Sequence, residues 1–168
     1  SSGSFTVALL AALHALRGEV PGWESLAHEA CHIEIERLGV PVGRQDPAIA
    51  AHGGITAFTF ATDDTTTAVP LALKDGARAR MVSDIMLFFT GITRSAGAML
   101  KVQDNRSRDG DAAMTANLHR VKQIGLLSRD LLIAGDLPGF AALMHEQWLL
   151  KRERGGSSPK IDAWYDPV

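Results

Sequence analysis

A chain of 168 residues that is 46% hydrophobic has material for one domain with a sizeable core, or for one domain and part of another. A formal charge of -2, with basic residues scattered apart from Lys151-Arg-Glu-Arg154, offers no electrostatic footprint for nucleic acid or an anionic membrane. No apolar run reaches the roughly 18 residues that cross a bilayer, and the single cysteine, Cys31, has no internal disulfide partner, which points to a reducing, cytoplasmic setting.

Ser1-Ser-Gly-Ser4 leads straight into an Ala/Leu/Val-rich stretch, Phe5 to Leu16, which reads as a buried helix with Ser4 as its N-cap and Gly18 just past its end. A start of this kind, with no methionine and no preceding strand, reads as a fragment or a chain cut inside a loop. After the Pro21-Gly22 turn, apolar residues at Leu26, Ala27, Ala30, Ile33 and Leu38 predict a second helix over Trp23 to Leu38, ended by Gly39. Gln45 to Ala51 predicts a short helix stopped by Gly53-Gly54. Ile55 to Phe60 and Thr65 to Leu71 predict a hairpin turning at Asp63-Asp64, and Arg80 to Phe89 a third strand. The remainder reads as helical over Ser95 to Asn105, Ala112 to Ala134 and Leu137 to Leu150, with a last short helix from Lys160 to Tyr165 after the loop Gly155 to Pro159.

Four stretches carry residues capable of chemistry. Small residues at Ser1 to Ser4, before a helix, let backbone amides approach an anion at the positive end of the helix dipole, although the lysine of the common phosphate loop is absent. His28-Glu-Ala-Cys-His32 matches H-E-x-x-H, a spacing that sets two imidazoles on one helix face where zinc could bind. The plainer reading is two histidines on an amphipathic helix, since the longer zinc motif would need Gly and His where the chain has Ile35 and Leu38. Glu34 and Asp46 are joined by a helix end and the Gly39-Val-Pro-Val-Gly43 turn. Two such carboxylates could hold magnesium and accept a hydroxyl proton, while on spacing alone a solvated glutamate and a capping aspartate are the simpler account. Thr90-Gly-Ile-Thr-Arg94 sits at a predicted strand-to-helix junction, where Arg94 could grip a phosphate or a sugar hydroxyl or could simply be a surface arginine.

Together these pieces resemble the GHMP kinases. Ser1-Ser-Gly-Ser-Phe-Thr-Val7 looks like the end of that superfamily's Gly-Leu-Gly-Ser-Ser phosphate loop entering its helix. Gly39-Val-Pro-Val-Gly-Arg-Gln-Asp46 is similar to the segment that ends in the catalytic aspartate. Ala30-Cys-His-Ile-Glu-Ile-Glu36, Gly43-Arg-Gln-Asp46, Phe89-Thr-Gly-Ile-Thr-Arg94 and Pro159-Lys-Ile-Asp-Ala-Trp-Tyr165 most resemble the D-glycero-D-manno-heptose 7-phosphate kinase group. Pro47 departs from it, standing where the family usually has glutamine.

The resemblance implies an α+β fold, the two-layer GHMP kinase fold in part, helix-rich with a small antiparallel sheet. It divides the chain into residues 1–75, the end of the N-terminal ATP/Mg and catalytic domain, and residues 76–168, most of the C-terminal domain. It implies ATP and Mg2+ as cofactors, with Ser1, Ser2, Gly3 and Ser4 in the ATP phosphate loop, Ser2 and Glu34 as magnesium ligands and Asp46 as the catalytic base. Gly53, Gly54 and Arg94 become substrate-side contacts. The implied reaction is phosphorylation of a heptose 7-phosphate or related sugar at the anomeric hydroxyl. The implied partners are small molecules, with neither nucleic acid nor membrane among them and homo-oligomerisation left open. Because the family's N-terminal strands and C-terminal glycine-rich motif are missing, the isolated chain is expected to be inactive. A zinc hydrolase built on His28, Glu29 and His32, or a non-catalytic binding protein of the GHMP fold, are the alternatives.

Overall fold

The computed structural model describes residues 2–91 and 96–165, so Ser1 and Arg94 lie outside the described residues. The chain divides into two compact units, residues 1–71 and 72–168. Among the described residues, no helix is long and apolar enough to cross a membrane.

In the first unit α1 (Ser2–Leu16), α2 (Trp23–Cys31) and α3 (Gln45–His52) pack pairwise. Their core is Val7, Leu10 and Ala30, flanked by Leu26, Ile33 and Ala51. The N-terminal helix begins three residues earlier than expected, at Ser2 instead of Phe5, so Ser4 lies inside its first turn instead of capping it. Nor is the helix buried all round. Gly3, Val7 and Leu10 form one inward stripe, while Phe5, Leu9, Leu13 and Leu16 are exposed, because α2 and α3 cover only one face. Alanine and leucine favour the helix whichever way they point, so propensity alone could not reveal the uncovered side.

The second predicted helix is in fact two pieces. After Cys31 the backbone widens into a π-helical segment, His32–Arg37, which ends where the Leu38 amide donates to the Ile33 carbonyl five residues back at 3.0 Å. Strands β1 (Thr56–Phe60) and β2 (Thr66–Pro70) form the expected antiparallel hairpin, with Phe58 opposite Ala68. Its turn is held by the Asp63 carboxylate, which accepts from the Thr65 hydroxyl at 2.7 Å and the Thr65 amide at 3.1 Å; those bonds hold the Asp63 carboxyl below its usual range. Trp23, His52 and Phe58 meet edge to face with ring centroids 5.0 to 6.0 Å apart, seating the hairpin against α2 and α3.

In the second unit, the segment expected as a third strand is instead α4 (Ala77–Asp84) followed by an extended run from Ile85. Left-handed Gly76 (φ 77°) opens the helix, and Ala, Arg and Met at 77 to 81 are good helix formers. The apolar residues that suggested a strand, Ile85 to Phe89, come after it. Next come α5 (Ala96–Arg108), α6 (Ala112–Ala134), α7 (Leu137–Glu153) and α8 (Pro159–Tyr165). Asp111 caps α6 through the Met114 amide at 3.0 Å, and Asp136 caps α7 through the Gly139 amide at 2.9 Å. Gly135 (φ 75°) supplies the left-handed residue between α6 and α7. Arg120 grips Glu146 with two bonds, and Asn117 donates to the Leu150 carbonyl and to Glu153, pairings that run α6 and α7 antiparallel.

A charged clasp fastens the far end of α1. His14 Nδ1 lies 2.6 Å from Glu19 Oε2, and Nε2 lies 2.9 Å from Glu29 Oε2 on α2. Ionised carboxylates only accept, so both ring nitrogens carry protons here. The Glu29 and Glu19 hydrogen bonds raise the His14 pKa above 6.5. A raised folded-state value means this contribution is full below the unfolded pKa and is lost as pH rises through the folded one. This contribution of His14 to the first unit is therefore expected to be full below about pH 6.5 and to be lost as pH rises through its raised folded-state value. Urea midpoints should fall on moving to pH 9, and His14→Gln should flatten that part of the profile.

Candidate active site

The N-terminal end of α1 gathers the acidic residues singled out in the sequence. Thr6 donates from Oγ1 to Glu34 Oε1 at 2.7 Å, tying the π-helical segment to α1 across 28 residues of chain. Glu34 is 4% exposed. Among the described residues no lysine, arginine or histidine forms an ion pair with it. A buried carboxylate ordinarily has a cationic partner or a metal, because desolvation penalises the naked charge.

Asp46 arrives by a different route. It lies in the first turn of α3, and that turn packs directly on α1 at Gly3. A Cβ placed on Gly3 would meet Pro47 Cδ at 3.0 Å, the Pro47 nitrogen at 3.1 Å and Asp46 Cβ at 3.2 Å. Pro47 is fully buried in this contact. Proline is tolerated in a first turn because its missing amide would have no helical acceptor there. The residue that departs from the family pattern thus makes a tight helix-to-helix contact beside Asp46. Gly3 and Thr6 are one turn apart on α1, so one stretch of that helix receives both Asp46 and Glu34.

Ser2, Gly3 and Ser4 form the first turn of α1, not a loop ahead of it. First-turn amides lack helical acceptors, so the placement keeps the donors that an anion would use. Gly53 and Gly54 sit between α3 and β1 with φ of 77° and 72°, conformations that only glycine adopts without strain. The Gly53 carbonyl accepts from the Thr56 hydroxyl at 3.1 Å. Their evident role is to end α3 and start the hairpin.

The H-E-x-x-H residues run from α2 into the π-helical segment, with His28 and Glu29 on the helix and His32 opening the segment. His28 and His32 line a cavity of about 310 Å³ together with Trp23, Cys31, Arg44, Phe60 and Asp64. Several of the charged groups here are already paired. Glu29 pairs with His14, His32 Nδ1 lies 2.8 Å from Glu36, and Arg44 meets Asp64 at 2.9 Å. Among the described residues no group of three His, Cys, Asp or Glu side chains could hold a metal ion. Burial raises the pKa of the Cys31 thiol, with the Glu34 charge adding to the effect and Arg44 opposing it, so Cys31 is a poor nucleophile.

Comparison with known proteins gives likenesses in sequence and in fold. Residues 1–54 match the GHMP kinases N terminal domain family. Over 131 residues the chain is 27% identical to the D-glycero-alpha-D-manno-heptose 7-phosphate kinase of Campylobacter jejuni subsp. jejuni, a match covering 78% of this chain and 38% of that protein. The crystal structure of a D-glycero-D-manno-heptose 1-phosphate kinase from Bacteriodes thetaiotaomicron superposes with a TM-score of 0.71 at 25% identity, covering 91% of this chain and 43% of that one. These likenesses converge on the GHMP kinase superfamily. Both of these relatives are heptose phosphate kinases, and the chain spans less than half the length of each. The helix-rich fold with a small antiparallel sheet is the one this GHMP kinase relationship implies.

Two site residues were not singled out in the sequence, Thr6 and Pro47 as a packing residue. The available signal for Thr6 was a hydroxyl in the otherwise apolar run Phe5 to Leu13. Thr6→Val removes the hydroxyl donor from a buried carboxylate and should cost about 1–3 kcal/mol. Gly3→Ala sets a helix-propensity gain of at most about 1 kcal/mol against overpacking of about 1–3 kcal/mol, so it should be net destabilising. Denaturant midpoints of the first unit check both.

Proposed function

We propose that this chain is the portion of an ATP-dependent sugar kinase that carries its catalytic acids, acting on a heptose 7-phosphate or a related sugar phosphate at the anomeric hydroxyl. The observation that carries the reading is the buried Glu34 carboxylate, bonded to Thr6 and without a cationic partner among the described residues, beside a first turn of α1 onto which Asp46 is packed. The relatives' own names, heptose phosphate kinases, supply the substrate class.

In this reading residues 1–75 end the nucleotide-binding and catalytic domain, in line with the family match to residues 1–54, and residues 76–168 belong to the C-terminal domain. The first-turn amides of α1, with Ser1 to Ser4, receive ATP phosphate oxygens. Glu34 and the Ser2 hydroxyl hold Mg2+, and a donor set with a single buried carboxylate suits an ion that keeps waters and phosphate oxygens as its other ligands. Bound there, the ion would neutralise charge developing on the transferred phosphoryl group. Asp46 positions the sugar hydroxyl and takes its proton. Gly53, Gly54 and Arg94 complete the sugar side of the proposal. Positioning and charge neutralisation carry most of such a reaction, which is why so few side chains take part.

The zinc hydrolase loses support because Glu29, its general base, is bound to His14 and His32 is bound to Glu36. The test is phosphoryl transfer from Mg-ATP to a heptose 7-phosphate by the longer polypeptide that carries this chain. Asp46→Asn should lower kcat by about 10²–10⁴ with little change in KM. Glu34→Gln should raise the Mg2+ concentration needed for half-maximal rate. Undiminished turnover in Asp46→Asn would exclude the assigned base, and nucleotide binding without any turnover would favour a non-catalytic relative. The 168-residue chain alone should be inactive, since it spans 38% of the curated relative.

A further inference from the structure

The two oxygens of the Glu34 carboxylate are used unequally. Oε1 accepts the Thr6 hydroxyl at 2.7 Å, whereas Oε2 receives no hydrogen bond among the described residues. The donor is itself held in place. Thr6 Oγ1 lies 3.1 Å from the Ser2 carbonyl oxygen, four residues back on α1, a contact that orients this β-branched side chain on its helix. The single hydroxyl proton favours the nearer, charged acceptor. Glu34 is anchored at its backbone too, since its carbonyl accepts the Val40 amide at 2.9 Å as the chain enters the turn toward Asp46. Both ends of the Thr6 to Glu34 bond are therefore fixed by other contacts, and the carboxylate between them is buried.

A carboxylate can meet a cation through one oxygen or through both. Calcium accepts the two-oxygen mode within a flexible shell of about 6–8 oxygens, whereas magnesium demands a near-octahedral shell and keeps waters in it. We infer that Thr6 is a positioning residue that restricts Glu34 to one-oxygen ligation through Oε2, and so biases this site toward Mg2+ over Ca2+. This role rests on Glu34 holding the ion, as proposed above, and adds which ion it holds best. The Thr6 hydroxyl takes up one lone pair of Oε1, and an oxygen accepting a short hydrogen bond has less charge to offer a cation. An ion reaching for both oxygens has to compete with the Thr6 proton for Oε1. Outer-shell partners of this kind typically change metal affinity by about 10–100-fold.

The test uses the longer polypeptide that carries this chain and a non-hydrolysable ATP analogue, titrated by calorimetry in EDTA, in Mg2+ and in Ca2+. The factor by which each ion tightens the analogue is the readout, and no turnover is needed. The unsubstituted protein should gain more from Mg2+ than from Ca2+. Thr6→Val keeps the side-chain shape without the donor and should cut the Mg2+ gain by about tenfold or more, while the Ca2+ gain holds or rises. Thr6→Ala should do the same, with unchanged analogue affinity in EDTA showing that each variant folds. Thr6→Ser keeps the hydroxyl and should keep the original Mg2+ to Ca2+ ratio. Equal losses in Thr6→Ser and Thr6→Val would make Thr6 a packing residue and overturn the inference. Glu34→Gln separates the two levels. If it abolishes the metal gain while Thr6→Val leaves the ratio unchanged, the ligand stands and the role of Thr6 falls. If Glu34→Gln leaves both gains intact, Glu34 is no ligand and both fall together.

Discussion

A carboxylate taken out of water must be given something in place of its hydration, and at Glu34 the described residues supply one hydroxyl. The Thr6 to Glu34 bond fixes where the π-helical segment meets α1, and through it where the turn toward Asp46 begins. One neutral donor does not compensate a full negative charge. The site is therefore incomplete as a purely structural ion site, and it becomes reasonable as one that shares its charge with a ligand.

The second acid is placed by packing, not by polar bonding. Gly3 admits Pro47 to a separation that no side chain at position 3 would leave open, and Pro47 carries Asp46 on its N-terminal side. Two independent devices, a hydrogen bond and a close backbone approach, thus converge on the same first turns of α1. Farther along that helix, His14 holds α1 to α2 through Glu29. The two ends of the helix are fastened by different chemistry, so pH can loosen one while leaving the other in place.

Much of this was legible locally, and the exceptions share a cause. Helices α6 and α7 announce themselves through capping aspartates, Gly135 and long apolar periodicity, all properties of residues within a few positions of each other. The hairpin does so through its β-branched residues and the Asp63-Asp64 turn. Glu34, Asp46 and Ser2 could be named only through family resemblance, because spacing along the chain left solvated acids as an equal account. Thr6 was passed over since its partner lies 28 residues away, beyond any local period. The Ile85 to Phe89 run was read as a strand from side-chain type, but a strand also requires a neighbouring backbone, and composition says nothing about that.

The π-helical segment has a consequence for how this region tolerates change. A π turn holds one more residue than the α turn it replaces. Removing a single residue between His32 and Arg37 would let an ordinary α turn close in its place, leaving the chain after Arg37 near its present phase. What would change is the set of side chains that the turn itself presents, Glu34 among them. The wide turn is thus the local device that sets which residue meets Thr6, and a loss of one residue there should cost that alignment while the flanking helix and the Gly39 to Gly43 turn keep their places.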